Sequence, residues 1–221
     1  MENSIETIVN RHINKVKANP YHRARSWDFC FKAFESNAIS SELRLQLVSY
    51  LASYGMYRGS SGLLFTNDKS LEGVIELICS KEFYHLRCKS SSEIKSSAIN
   101  DIFKLKEKLA KHLKSIKYLK NGKQKAISPT DTLLSKVLLG TLGCTPAYDR
   151  FLKKGLKKLA IKQTFNKGSL KEIIDFATCN SKSIKNCQDL LQQTFGIYVP
   201  VMRVVDIYLV ELEDENDKLY E

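Results

Sequence analysis

Apolar side chains recur every three or four positions over most of the 221-residue chain, and the elements this spacing predicts are helices. A first helix covers Glu2 to Ala18 and stops near Asn19 and Pro20. Ser26 caps a second, whose Trp27, Cys30, Phe31 and Phe34 share a core-facing stripe. Ser40 caps a third, with Leu43, Leu47, Leu51 and Tyr54 on one face, and Gly55 ends it. Ser70 starts another, and Ser91 to Tyr118 reads as one long lysine-rich helix with a break near Ser96 and Ser97. Asn121-Gly122 is a turn signal. Pro129 and Thr130 open a helix over Thr132 to Leu139, Gly140 to Pro146 reads as a loop, and Ala147 to Ile161 as a helix. Ser169 caps Leu170 to Cys179, and Ile184 to Phe195 ends at Gly196. Pro200 opens a last helix carrying Val201, Val204, Val205, Tyr208 and Leu212, with a strand as the alternative because of its β-branched residues. The expectation is an all-α fold of about nine helices with no sheet. Residues 1–221 form one compact multi-helix domain in this reading, and a sub-domain division near 119–130 is the alternative.

Composition narrows the class. Ten glycines and four prolines are too few for an all-β fold rich in turns. No apolar stretch reaches the roughly 20 residues that cross a bilayer, and the first residues lack the pattern of a secretion signal, so a cytoplasmic location and no membrane partner are expected. The six cysteines include no C-x-x-C pair and the four histidines are scattered, so neither a metal nor another cofactor is expected.

Charge changes the picture more. The whole chain carries +11, yet Lys104 to Lys125 and Arg150 to Lys171 each carry +8, leaving the remainder acidic, notably from Glu211 to Glu221. Lysines on one face bind a line of phosphates by releasing counterions, which makes nucleic acid, DNA before RNA, the expected partner. Solvated helix faces, an acidic protein partner or anionic lipid are the alternatives.

Candidate chemistry gathers in Ser128 to Leu152: an apolar helix, a Gly/Pro segment, and Asp149 at the start of an apolar-basic helix. A carboxylate there lies at the positive end of a helix dipole. Gly140, Gly143 and Thr145 would let backbone amides approach a phosphate, with Arg150, Lys153, Lys154, Lys157 and Lys158 adding cations. A second cluster, Tyr54 to Gly62, surrounds Arg58 with small residues, so Arg58 is a further candidate for phosphate, or else for a buried salt bridge. It lacks the spacing of an NTP-binding loop. Arg203 and Asp206 fall at i, i+3 and are expected to form a structural pair.

The segment ending Thr145-Pro146-Ala147-Tyr148-Asp149 resembles the helix–hairpin–helix DNA glycosylases, in which a helix and a Gly/Pro loop end in an aspartate opening the next helix. The resemblance covers about 25 residues. It departs from the family near Ile127 to Thr132, where the hairpin would fall and no glycine is present, so the Gly140–Gly143 loop would have to grip the phosphate. It implies that Asp149 is the catalytic carboxylate, stabilising an oxocarbenium-like sugar as a flipped base departs. Lys136 stands too close to Asp149 along the chain to match the Schiff-base lysine of bifunctional members, so a monofunctional enzyme is implied. Tyr148, Tyr57 and Trp27 are the candidates for base stacking, with core packing as the alternative for Tyr148 and Trp27, and a helix-start charge or a salt bridge to Arg150 or Lys153 as the alternative for Asp149. A non-catalytic nucleic-acid-binding or protein-interaction module is the competing function.

Overall fold

The computed structural model describes residues 4–88 and 96–212. Glu2, the expected start of the lysine-rich helix at Ser91, and the acidic stretch beyond Leu212 lie outside the described residues. Ten α-helices are present among them: α1 (Ile5–Ala18), α2 (Arg25–Ala33), α3 (Ser41–Ser53), α4 (Glu72–Cys79), α5 (Ile99–Ser115), α6 (Asp131–Thr141), α7 (Arg150–Lys158), α8 (Lys167–Cys179), α9 (Ser181–Phe195) and α10 (Val201–Glu211). None is long and apolar enough to cross a membrane.

Local chemistry explains most of the boundaries. Ser4, Ser40 and Thr130 accept hydrogen bonds from Thr7, Leu43 and Leu133 N–H at the starts of α1, α3 and α6. Gly55 and Gly196 take positive φ just past α3 and α9, as expected. Two expected caps fail. Ser26 lies inside α2, where its hydroxyl donates to the Arg23 carbonyl, and Asn166 caps α8 in place of Ser169. The strand alternative for the last segment fails too, since Val201–Glu211 is helical.

The expectation of no sheet is corrected. β1 (Lys117–Lys120) and β2 (Lys123–Ala126) pair antiparallel, with Lys117 opposite Ala126 and Lys120 opposite Lys123. Asn121 and Gly122 both have positive φ, the conformation that a two-residue hairpin turn requires. Tyr118 therefore belongs to a strand rather than to the lysine-rich helix. Its ring stacks on Phe65 with centroids 5.4 Å apart, which pins the hairpin against the segment after α3.

Two helices form the centre. Every residue of α6 from Leu133 to Thr141 is buried, and so is α10 from Met202 to Leu209, as expected of helices covered on all sides. α10 packs on α1, α7 and α9, while α6 packs on α2, α3 and α5. The buried apolar cluster draws side chains from all ten helices. Gly155 is the point of closest approach between α7 and α10: a Cβ there would strike the backbone carbonyl of Leu209.

Candidate functional site

Between α6 and α7 the chain crosses the interior. Residues 142–148 are all buried, which overturns the expected ligand-facing loop. Gly140 is not in a loop at all. It lies within α6, packed so tightly on the Tyr50 ring that a Cβ would overlap it. Gly143 does have positive φ, but it sits against Pro200 and Phe31, and its N–H donates to the Leu138 carbonyl. The Ala147 and Tyr148 amides are used internally as well. Ala147 N–H donates to Asp206 Oδ1 at 2.9 Å, and Tyr148 N–H to Ser135 Oγ at 2.8 Å. Amides committed in this way cannot grip a phosphate. Thr145 is buried with its hydroxyl unpartnered.

The aromatic candidates are corrected for the same reason. Tyr148 is fully buried, its hydroxyl 2.9 Å from Ser169 Oγ and its ring stacked on Phe165. Trp27 is buried too, with Nε1 donating to the Leu139 carbonyl and its ring stacked on Phe31. The Tyr57 ring is half-buried with an unpartnered hydroxyl, and burial pushes that hydroxyl up to about 12. None of the three lines the large cavity.

That cavity, about 760 Å³, opens between α1, the α1–α2 turn, the end of α3, α6, the start of α7 and the end of α10. Asp149 is on its wall and caps α7: Oδ1 accepts from Phe151 and Leu152 N–H. Its Oδ2 faces Lys136 Nζ at 3.2 Å, and the carboxylate remains 20% exposed. Lys136 is only 4% exposed and also donates to the Tyr54 carbonyl at 2.9 Å. Burial lowers its ammonium below the usual lysine value, opposed by Asp149.

Deeper in the same wall, Arg203 donates to Asp206 Oδ2 at 2.8 Å and to the Tyr54 hydroxyl at 3.0 Å, so the expected i, i+3 pair is present. Burial raises the Asp206 carboxyl, with Arg203 opposing it. Asp206 thus holds both Arg203 and the buried 142–148 segment. At the far side His12 Nδ1 lies 2.8 Å, and Lys15 Nζ 2.6 Å, from the two oxygens of Glu211.

The charges around the cavity do not cancel. Its three acids, Asp149, Asp206 and Glu211, are each matched by a cation. Arg23, Arg58, Arg150 and Lys153 also line it, and among the described residues they meet no acid. Arg58 is therefore not in a buried salt bridge; it is exposed on the cavity rim. Tyr54 and Phe151 are the phenyl-ring side chains in this wall. Lys136 Nζ lies 5.7 Å and the Arg23 guanidinium 5.9 Å from the Tyr54 centroid, and the Arg150 guanidinium 4.5 Å from that of Phe151.

Lys154, Lys157 and Lys158 are exposed on α7 away from this lining, and Lys158 Nζ reaches the Leu212 carbonyl at 2.8 Å, closing the end of α10. The first basic segment divides. Lys104 and Lys108 pair with Glu82 and Lys106 with Asp131, while Lys111, Lys114, Lys117, Lys123 and Lys125 are exposed and meet no acid among the described residues.

Sequence reading had singled out Asp149, Arg150, Lys153 and Arg58, and these four meet at the cavity. It missed His12, Lys15, His22, Arg23 and Glu211, which come from opposite ends of the chain, and it kept Tyr54 as a core residue. The one signal for Tyr54 was its place at the end of its helix, beside Gly55. Comparison of the chain with protein-family models, curated proteins and solved structures gave no match in any of the three.

Proposed function

We propose that this protein binds nucleic acid through its basic surface and admits a flipped nucleotide to the cavity, where Asp149 assists hydrolysis of the N-glycosidic bond. The observation that carries the reading is the surplus of four cations, Arg23, Arg58, Arg150 and Lys153, around a cavity holding a partly exposed carboxylate at a helix start. The cations suit the phosphates on either side of an extruded nucleotide. A volume of about 760 Å³ leaves room for base and sugar. Tyr54 takes the part of an aromatic wall for which Tyr148 and Trp27 are unavailable.

In this mechanism the C1′–N bond lengthens and its electron pair leaves with the base. Asp149 stabilises the cationic sugar, a water oxygen bonds to C1′, and the water proton passes to the carboxylate or to solvent. Lys136 serves as a fixed cation that orients Asp149. An ammonium donating to both Tyr54 and Asp149 has no free electron pair with which to attack C1′. The reading is therefore monofunctional, and requires no metal or cofactor.

The test is incubation with duplexes carrying a panel of modified bases, followed by alkali. Strand scission only after alkali, abolished in Asp149→Asn, supports the reading. A covalent protein–DNA adduct trapped by borohydride would replace it with amine catalysis. Salt-sensitive binding with no base released from any duplex would leave a non-catalytic nucleic-acid-binding module. The charge surplus supports that second reading equally, because it does not depend on Asp149.

A further inference from the structure

Tyr21 is 92% exposed, and it is the one tyrosine or tryptophan among the exposed large apolar side chains of the described residues. Aromatic rings are usually placed where some of their area is covered, so a bare one on a basic surface points to something outside the chain. Its backbone is held firmly. Tyr21 N–H donates to Asn19 Oδ1 at 2.9 Å, His22 N–H to the Asn19 carbonyl at 3.0 Å, and Ala24 N–H to His22 Nδ1 at 3.2 Å. The turn between α1 and α2 is thus a braced platform. The next two residues, His22 and Arg23, line the charged cavity, with Arg23 among its surplus cations. The Tyr21 ring itself has no ring or cation contact among the described residues.

We infer that Tyr21, in the turn that carries His22 and Arg23 into the cavity wall, is a stacking residue, receiving the face of a nucleobase whose phosphates are held by Arg23 and the other rim cations. The inference rests on the proposed nucleic-acid partner, and adds a contact to the bases that the charge surplus does not supply. Stacking is sequence-tolerant because every base has a π-face, and loss of such a ring weakens single-strand binding in other systems by roughly 5- to 100-fold. The braced turn fits the role, since its backbone has little freedom left to lose on contact.

The test compares wild type, Tyr21→Phe and Tyr21→Ala on two single strands of equal length. One carries natural bases and a fluorescent purine analogue; the other has most nucleosides replaced by abasic residues. Tyr21→Ala is expected to lose roughly 5- to 100-fold in affinity for the base-bearing strand, to leave affinity for the abasic strand unchanged, and to abolish quenching of the purine. Tyr21→Phe is expected to retain both. Equal losses on the two strands, or no loss on either, would overturn the stacking role while leaving phosphate binding intact. Absence of binding by the wild type to either strand would overturn the stacking role, and absence of binding to duplexes as well would overturn the nucleic-acid reading.

Discussion

Lys136 Nζ and Asp149 Oδ2 lie 3.2 Å apart, so the carboxylate that opens α7 is tethered to the centre of the buried α6. Asp149 thereby has two separable duties, a cap through Oδ1 and a charge facing the cavity through Oδ2. Asparagine caps helices as well as aspartate does, but is neutral. Asp149→Asn keeps the cap but leaves the buried Lys136 ammonium without its counter-charge, so the melting temperature should fall, while base release by the variant that remains folded falls by roughly 10²–10³. Asp149→Ala removes the cap too, at about 1 kcal/mol, which lowers the melting temperature of a chain this long by roughly 2–4 °C. Wild-type base release by the folded Asn variant would remove Asp149 from the mechanism.

Gly155 lets α7 approach the backbone of α10, and no flexible side chain is available there to yield. Gly155→Ala should therefore destabilise the fold, by about 1–3 kcal/mol as expected of overpacking, despite alanine's better helix propensity. Denaturant unfolding checks this: a stabilised variant would show that α7 can shift outward. A shift would also move Asp149 and Arg150, so reduced duplex affinity in the same variant would accompany it.

What was legible in the sequence was local. Ser40, Thr130, Gly55 and Gly196 act through hydrogen bonds or φ values within a few residues of themselves, and each marks a helix end as expected. The hairpin escaped because its strands are short and lysine-rich, and Tyr118 is held there by Phe65. The 142–148 segment looked like a ligand loop because glycine and proline suit loops. Whether its amides are free was decided by Asp206, far along the chain. The cavity was illegible for the same reason, since His12 and Glu211 meet only when α1 packs on α10.

The divided first basic segment gives a test of the phosphate-binding surface. Lys104 and Lys108 already face Glu82, whereas Lys117, Lys123 and Lys125 project from the hairpin without an acid. Alanine at Lys117, Lys123 and Lys125 together should flatten the dependence of log affinity on log salt by about 0.9 for each lysine that touches a duplex phosphate. Alanine at Lys104 and Lys108 should change that slope much less, because their charge is matched within the fold. Equal slopes for the two variants would place the nucleic-acid surface elsewhere, and an intact slope in both would confine it to the cavity rim.

Acid should loosen the far wall of the cavity. Burial lowers the His12 ring from its usual 6.5, outweighing the opposing hydrogen bond to Glu211. For Glu211, burial alone would raise the carboxyl, but hydrogen bonds from His12 and Lys15 outweigh it and bring it from 4.5 to about 2. Both shifts favour the deprotonated form in the folded state. The stability each contributes is therefore complete above its unfolded value and is lost as pH falls through its folded one. His12 should begin to weaken the fold once pH drops below 6.5, and Glu211 should do so between 4.5 and about 2. Arg203 and His22 also bear on the His12 ring, and both oppose its protonation, reinforcing that sign. Glu211→Gln cannot be protonated in this range and removes the Glu211 carboxylate from beside His12 and Lys15. Urea unfolding of wild type and Glu211→Gln should show the variant less stable at neutral pH, with the gap closing as pH falls from 4.5 toward 2. A gap that stays constant across that window would mean that the Glu211 carboxylate contributes nothing through its charge.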